Sequence, residues 1–137
     1  MKLKEISSFV FETAGVFLIV TSFAQAYSIK HTSMYPTLKE SEKVFVEKLS
    51  YGAKITNTPI KLPVLRDIKE GDIVVFNHNG KDLVKRVAGY SKDGVYVLGD
   101  NAIVSYDSRH FGLINREEIK GRVVFRYWPV NRIGVVK

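Results

Sequence analysis

Leu83-Val84-Lys85-Arg86-Val87-Ala88-Gly89 and, beyond Asp93-Gly94, Val95-Tyr96-Val97-Leu98 are two short apolar runs on either side of a turn dipeptide. That pattern predicts a β-hairpin. Working outward, Val44-Phe45-Val46, Ile73-Val74-Val75-Phe76 and Val123-Val124-Phe125 are further β-branched or aromatic runs, separated by Asn79-Gly80, Gly99-Asp100-Asn101 and similar punctuation. Short strands at intervals of roughly ten residues imply a mainly β fold, a compact barrel or sandwich-like core of antiparallel strands. Ser50 to Asp67 carries two of the four prolines and reads as a surface loop.

The same run poses a chemical question. Side chains alternate along a strand, so Leu83, Lys85 and Val87 share one face while Val84, Arg86 and Ala88 share the other. If either face is buried, one of two adjacent cations turns inward. A lysine between aliphatic neighbours loses hydration, which disfavours its charged form, whereas arginine stays charged regardless. A neutral lysine is a usable general base. The alternative is an edge strand with a solvated Lys85 guarding against aggregation.

The chain has 137 residues, enough for one domain. With 45% hydrophobic and 26% charged residues it is neither disordered nor fibrous. The absence of cysteine excludes disulfides and thiolate chemistry. A net charge of +7 points to an anionic neighbour without choosing one.

The amino-terminal segment has a different texture. Ile6 to Ile29 holds one charged side chain, Glu12, and the 17 residues from Thr13 to Ile29 hold none. That is near the lower limit for a membrane-spanning helix, roughly 17–25 residues. Residues 1–29 are therefore expected to be a transmembrane anchor, with Lys2 and Lys4 keeping the amino terminus in the cytosol. Residues 30–137 would form an extracytoplasmic β domain. The rival reading is a secretory signal cleaved after Ala24-Gln25-Ala26.

Two polar segments flank the strands. His31-Thr32-Ser33-Met34-Tyr35-Pro36-Thr37-Leu38 follows the apolar stretch, and Pro36 keeps it from continuing as helix. Gly99-Asp100-Asn101-Ala102-Ile103-Val104-Ser105-Tyr106-Asp107-Ser108-Arg109 follows the hairpin. Asp107 and Arg109, two apart, would point the same way in an extended segment and pair as a fork, with Ser105 on that side. Either segment alone reads equally well as a polar turn or loop.

Taken together in order, these segments resemble the type I signal peptidases, membrane-anchored serine proteases with a Ser-Lys dyad. Ser33 to Leu38 is similar to the family's nucleophile box, Gly71-Asp72-Ile73-Val74-Val75-Phe76 to its next strand, and Lys85-Arg86-Val87 to its lysine box. Gly99-Asp100-Asn101 through Ser105, Asp107, Ser108 and Arg109 is similar to its last box, and Phe111-Gly112-Leu113, Gly121-Arg122-Val123 and Trp128-Pro129 match its tail.

The resemblance implies Ser33 as nucleophile and Lys85 as general base, 52 positions away, with the Ser33 backbone N–H donating to the oxyanion. It implies Ser105 as the hydroxyl that orients the lysine, and Asp107 with Arg109 as a supporting ion pair. It implies signal peptides of preproteins and membrane phospholipids as partners, and neither metal nor cofactor. The substrate would be an extended segment with small side chains at the first and third positions before the cut.

The chain departs from the family pattern in three places. His31 stands where some members carry a serine that completes the oxyanion hole. Only 13 residues separate Lys85 from Gly99, which implies a minimal catalytic core. Tyr90-Ser91-Lys92-Asp93 replaces the usual Leu-Pro-Gly-Asp.

Other readings are a pilin-maturation or conjugation-type peptidase of the same chemistry, a Ser33-His110-Asp107 triad, and a secreted basic β-barrel that only binds. Aromatic residues are not grouped on one strand, which argues against nucleic acid as partner.

Overall fold

The computed structural model describes residues 2–52, 59–61 and 63–137, apart from the side chains of residues 19–22. Helix α1 (Leu3–Phe23) leads into seven strands: β1 (Ala24–Ser28), β2 (Lys43–Glu47), β3 (Ile73–His78), β4 (Lys81–Ser91), β5 (Gly94–Leu98), β6 (Ile119–Trp128) and β7 (Gly134–Val135). One further helix, α2 (Ser108–Phe111), lies between β5 and β6. The strands form one antiparallel sheet in the order β1-β2-β6-β3-β4-β5, with β7 also on β6.

All five runs expected as strands are strands. The expected closure is corrected: the sheet is open, with β1 and β5 at the ends of its order. Shifts of register in the β2–β6, β3–β6 and β4–β5 pairings bend it without closing it. Ile73 and Val75 of β3 pack into one apolar cluster with Met34, Leu38, Val44 and Val46, while Val74 and Phe76 pack into a second with Val87, Val95 and Val97. Both faces of β3 are therefore buried, which is why Ile73 to Phe76 is continuously apolar rather than alternating.

Two hairpins carry the centre of the molecule. Asn79 and Gly80 join β3 to β4 with φ of 50° and 80°, as a two-residue hairpin turn requires. The β4–β5 hairpin is present as expected, but its loop is Lys92-Asp93, one residue earlier than Asp93-Gly94, because Gly94 pairs with Ser91.

The amino-terminal segment is helical for a shorter distance than the sequence suggests. Of the uncharged stretch from Thr13 to Ile29, only the part up to Phe23 is helix; Ala24–Ser28 is strand, paired along its length with β2. The remaining helical turns carry Lys4, Glu5, Ser7, Ser8 and Glu12. Among the described residues no helix is long and apolar enough to cross a membrane, so the transmembrane helix expected within residues 1–29 finds no support in α1. The described parts of Ser50 to Asp67 hold nothing more regular than an isolated bridge at Lys61, and residues 53–58 and 62 lie outside the described residues.

Candidate active site

Lys85 sits in the middle of β4, opposite Val74 of β3, with Leu83 and Val87 two positions away along the strand. Of the two adjacent cations it is the one buried, at 4% exposure. Arg86, on the other face, keeps its charge in a fork to Asp100, with Nε to Oδ1 and Nη2 to Oδ2 both at 2.8 Å. Burial pushes the Lys85 amine below its ordinary 10.5, and the nearby Asp107 charge opposes that shift in part.

Lys85 Nζ lies 2.7 Å from Ser33 Oγ. The charged amine donates to that oxygen; once neutral, it can accept the hydroxyl proton across the same contact. The turn that carries Ser33 is held from several sides. Leu38 N–H donates to Met34 C=O at 2.9 Å, and Asn101 N–H donates to Ser33 C=O at 2.9 Å. Thr37 Oγ1 donates to Asp100 Oδ2 at 2.6 Å, and Arg126 Nη1 donates to Thr37 C=O at 2.9 Å. Met34 and Leu38 anchor it from below in the apolar core.

The expected pair Asp107–Arg109 forms, with Arg109 Nε and Nη2 each 2.9 Å from a carboxylate oxygen. It does so by a different local geometry, because Asp107 is the N-cap of α2 and Arg109 lies in that helix rather than in an extended segment. The fully buried Asp107 also accepts from Gly99 N–H at 2.9 Å. These donors hold its carboxyl far below the usual range despite burial, which acts the other way.

Ser105 is buried beside Asp107, whose carboxylate it helps to keep ionised, but its Oγ makes no hydrogen bond of normal geometry among the described residues. The structure thus brings Ser33 and Lys85 into contact and Ser105 close to Asp107, without a bond from Ser105 to the lysine. His31 is exposed at the mouth of the site. His110 Nδ1 lies 3.9 Å from Asp107, but its ring stacks on Tyr106 and is half exposed, and the group that touches Ser33 Oγ is the Lys85 amine.

Sequence reasoning missed the roles of Gly99 and of Arg86 with Asp100. A Cβ on Gly99 would stand 2.0 Å from Ser105 Oγ and 2.7 Å from Ser33 C=O. Only glycine lets these two serines close over the same point. The adjacent Arg86-Asp100-Thr37 linkage ties the β4 strand to the Ser33 turn. The signal was available in part, since Arg86 could not follow Lys85 inward.

A cleft of about 610 Å³ opens onto Ser33 and Lys85, walled on one side by Gln25 to His31 and on the other by Lys81 to Val84. The walls are the last part of β1 with the segment after it, and the first part of β4.

The chain matches the signal peptidase, peptidase S26 family over residues 3–96 and 90–128. It is similar to a probable signal peptidase I-2 of Synechocystis sp., 31% identical with 86% of this chain and 69% of the relative covered. Signal peptidase I of Leptolyngbya laminosa is 30% identical, over 85% of this chain and 74% of the relative. Signal peptidase IB of Staphylococcus aureus is 29% identical, over 92% and 91%. A buried lysine against a serine hydroxyl, in a chain matched along most of its length, therefore carries one family assignment: the protein belongs to the signal peptidase family, peptidase S26.

Proposed function

We propose that this serine peptidase cleaves signal peptides from preproteins with Ser33 as nucleophile and Lys85 as general base. The observation that carries the reading is the 2.7 Å contact between Lys85 Nζ and Ser33 Oγ, made by an amine that burial inclines toward neutrality. Ser33 Oγ attacks the scissile carbonyl while the neutral amine takes its proton; the ammonium so formed then protonates the departing amine. Water repeats the sequence on the acyl-enzyme. The Ser33 backbone N–H serves as an oxyanion donor.

Ser105 and the Asp107–Arg109 pair support the amine rather than touch the substrate. Ser105 is assigned to orienting Lys85, on the strength of its burial over Gly99 beside Asp107. The Asp107 charge limits how far the lysine pKa falls, so that the ammonium remains a competent acid for the second half of the step.

The protein is further assigned to the bacterial cytoplasmic membrane, residues 1–29 serving as the tether and residues 30–137 as the catalytic unit on the extracytoplasmic face. What supports a tether is the exposure of Phe9, Val10, Phe11 and Val16 along α1, apolar surface that water disfavours. Holding enzyme and membrane-bound substrate in one bilayer raises their effective concentration.

Preprotein cleavage by wild type, Ser33→Ala and Lys85→Arg tests the chemistry. Lys85→Arg keeps a cation but cannot supply a base, so both variants should be inactive. Wild-type rates in either would remove the dyad.

A further inference from the structure

A second cleft, also about 610 Å³, shares Gln25 with the wall of the catalytic one and is otherwise lined by residues that do not border that cleft, Lys48, Tyr51, Lys61, Arg116 and Lys120 among them. Its charge is unbalanced. Glu117 is the one carboxylate among its described lining residues, and it pairs loosely with Lys61 at 3.8 Å. Lys120 is tied to Asp82 at 2.8 Å. Lys48 is half buried and faces the Lys120 charge, so that desolvation and then repulsion both push its amine below the ordinary value. Residues 53–58 and 62, next to this cleft in sequence, contain no Asp or Glu that could balance it.

The position of the cleft suggests what does balance it. Lys48 N–H donates to Phe23 C=O at 2.9 Å, across the last residue of α1, and Gln25 follows that helix by two residues. The excess positive charge is therefore fixed where the exposed apolar helix meets the sheet. We infer that this cleft seats the phosphate of an anionic lipid headgroup, with Lys48 and Arg116 as principal cations. The inference rests on the reading of α1 as a membrane tether. A phosphate there gives Lys48 the counter-ion it lacks among the described residues and leaves Lys120 on Asp82, whose carboxylate borders the catalytic cleft.

The test is binding of the full chain to phosphatidylcholine vesicles with and without phosphatidylglycerol. Wild type should bind the anionic vesicles about tenfold or more tightly than the neutral ones, the contribution of roughly two cations near a charged surface. Lys48→Gln/Arg116→Gln should lose most of that increment, whereas Lys69→Gln/Lys92→Gln, which removes two exposed cations outside the cleft, should keep most of it. Equal losses in the two double variants would overturn the site in favour of diffuse surface charge. Inorganic phosphate competing as well as the lipid would also overturn it, by assigning the cleft to a free anion. Binding to phosphatidylcholine alone reports the tether separately. Unchanged preprotein cleavage by Lys48→Gln/Arg116→Gln in neutral detergent confirms that the variant is folded.

Discussion

Two clefts of equal volume adjoin at Gln25, and each contains a lysine whose pKa is lowered. Lys85 is displaced by burial among aliphatic neighbours and partly drawn back by the Asp107 carboxylate. Lys48 is displaced by burial and pushed further the same way by a second cation. The difference is what the proposed role of Lys85 as base rests on. Desolvation alone is common to both; a hydroxyl at 2.7 Å and a carboxylate near enough to stabilise the returning ammonium belong to Lys85 alone.

Exchange of each lysine for glutamine is the strongest way to break that comparison. Lys85→Gln should reduce preprotein cleavage by about 10³-fold or more, since a nucleophile and its base act as a unit. Lys48→Gln should leave the rate in neutral detergent within about twofold, as expected of a residue outside the reacting groups. A comparable loss in both would mean that the lowered pKa, and not the contact with Ser33, is what matters.

Gly99 sharpens the catalytic side. Gly99→Ala should separate Ser33 from Ser105, costing about 1–3 kcal/mol of stability through overpacking and lowering cleavage together with it. Thermal denaturation and a cleavage assay on the same sample check this. An alanine variant of wild-type stability and rate would mean that the two serines need not approach so closely.

The carboxylates give a smaller test. Asp72, Asp100 and Asp107 are held below their ordinary 3.8 by hydrogen bonds to arginine. A depressed carboxyl stabilises the fold fully above its unfolded pKa and loses that contribution as pH falls toward the folded value. Stability should therefore decline below about pH 4. Lys85 also makes stability rise with pH, but in a higher window: its burial costs most while the amine is charged, and that cost shrinks as pH rises from the depressed pKa toward 10.5. Denaturant midpoints across the acid range check the first part.

How far the sequence could be read follows from how local each signal was. The five strands with β-branched or aromatic runs were legible, as was the inward turn of one cation in Lys85-Arg86, because alternation is a property of neighbours. β1 was not, since Ala24-Gln25-Ala26-Tyr27-Ser28 has little strand character and becomes strand by pairing with β2. The helix therefore ended earlier than its apolar composition indicated. The open sheet was hidden for a related reason: closure depends on bulges, which leave no mark in the pattern of apolar residues. The Asp107–Arg109 fork was read from its two-residue spacing and Lys85 from alternation, and their pairing with Ser33 came from the ordered resemblance of whole segments, whereas the Arg86-Asp100-Thr37 linkage and the basic cleft join residues with no common sequence pattern.

The central claim is that the fold, by excluding water from the Lys85 amine, favours its neutral form and so lets it act as the base. NMR titration of the Lys85 side chain in the intact protein, set beside the pH dependence of preprotein cleavage, tests it most directly. The account predicts a Lys85 midpoint clearly below 10.5, coinciding with the ascending limb of the rate. A Lys85 that titrates at the ordinary value, or a rate that climbs at a pH where this amine does not lose its proton, would contradict it.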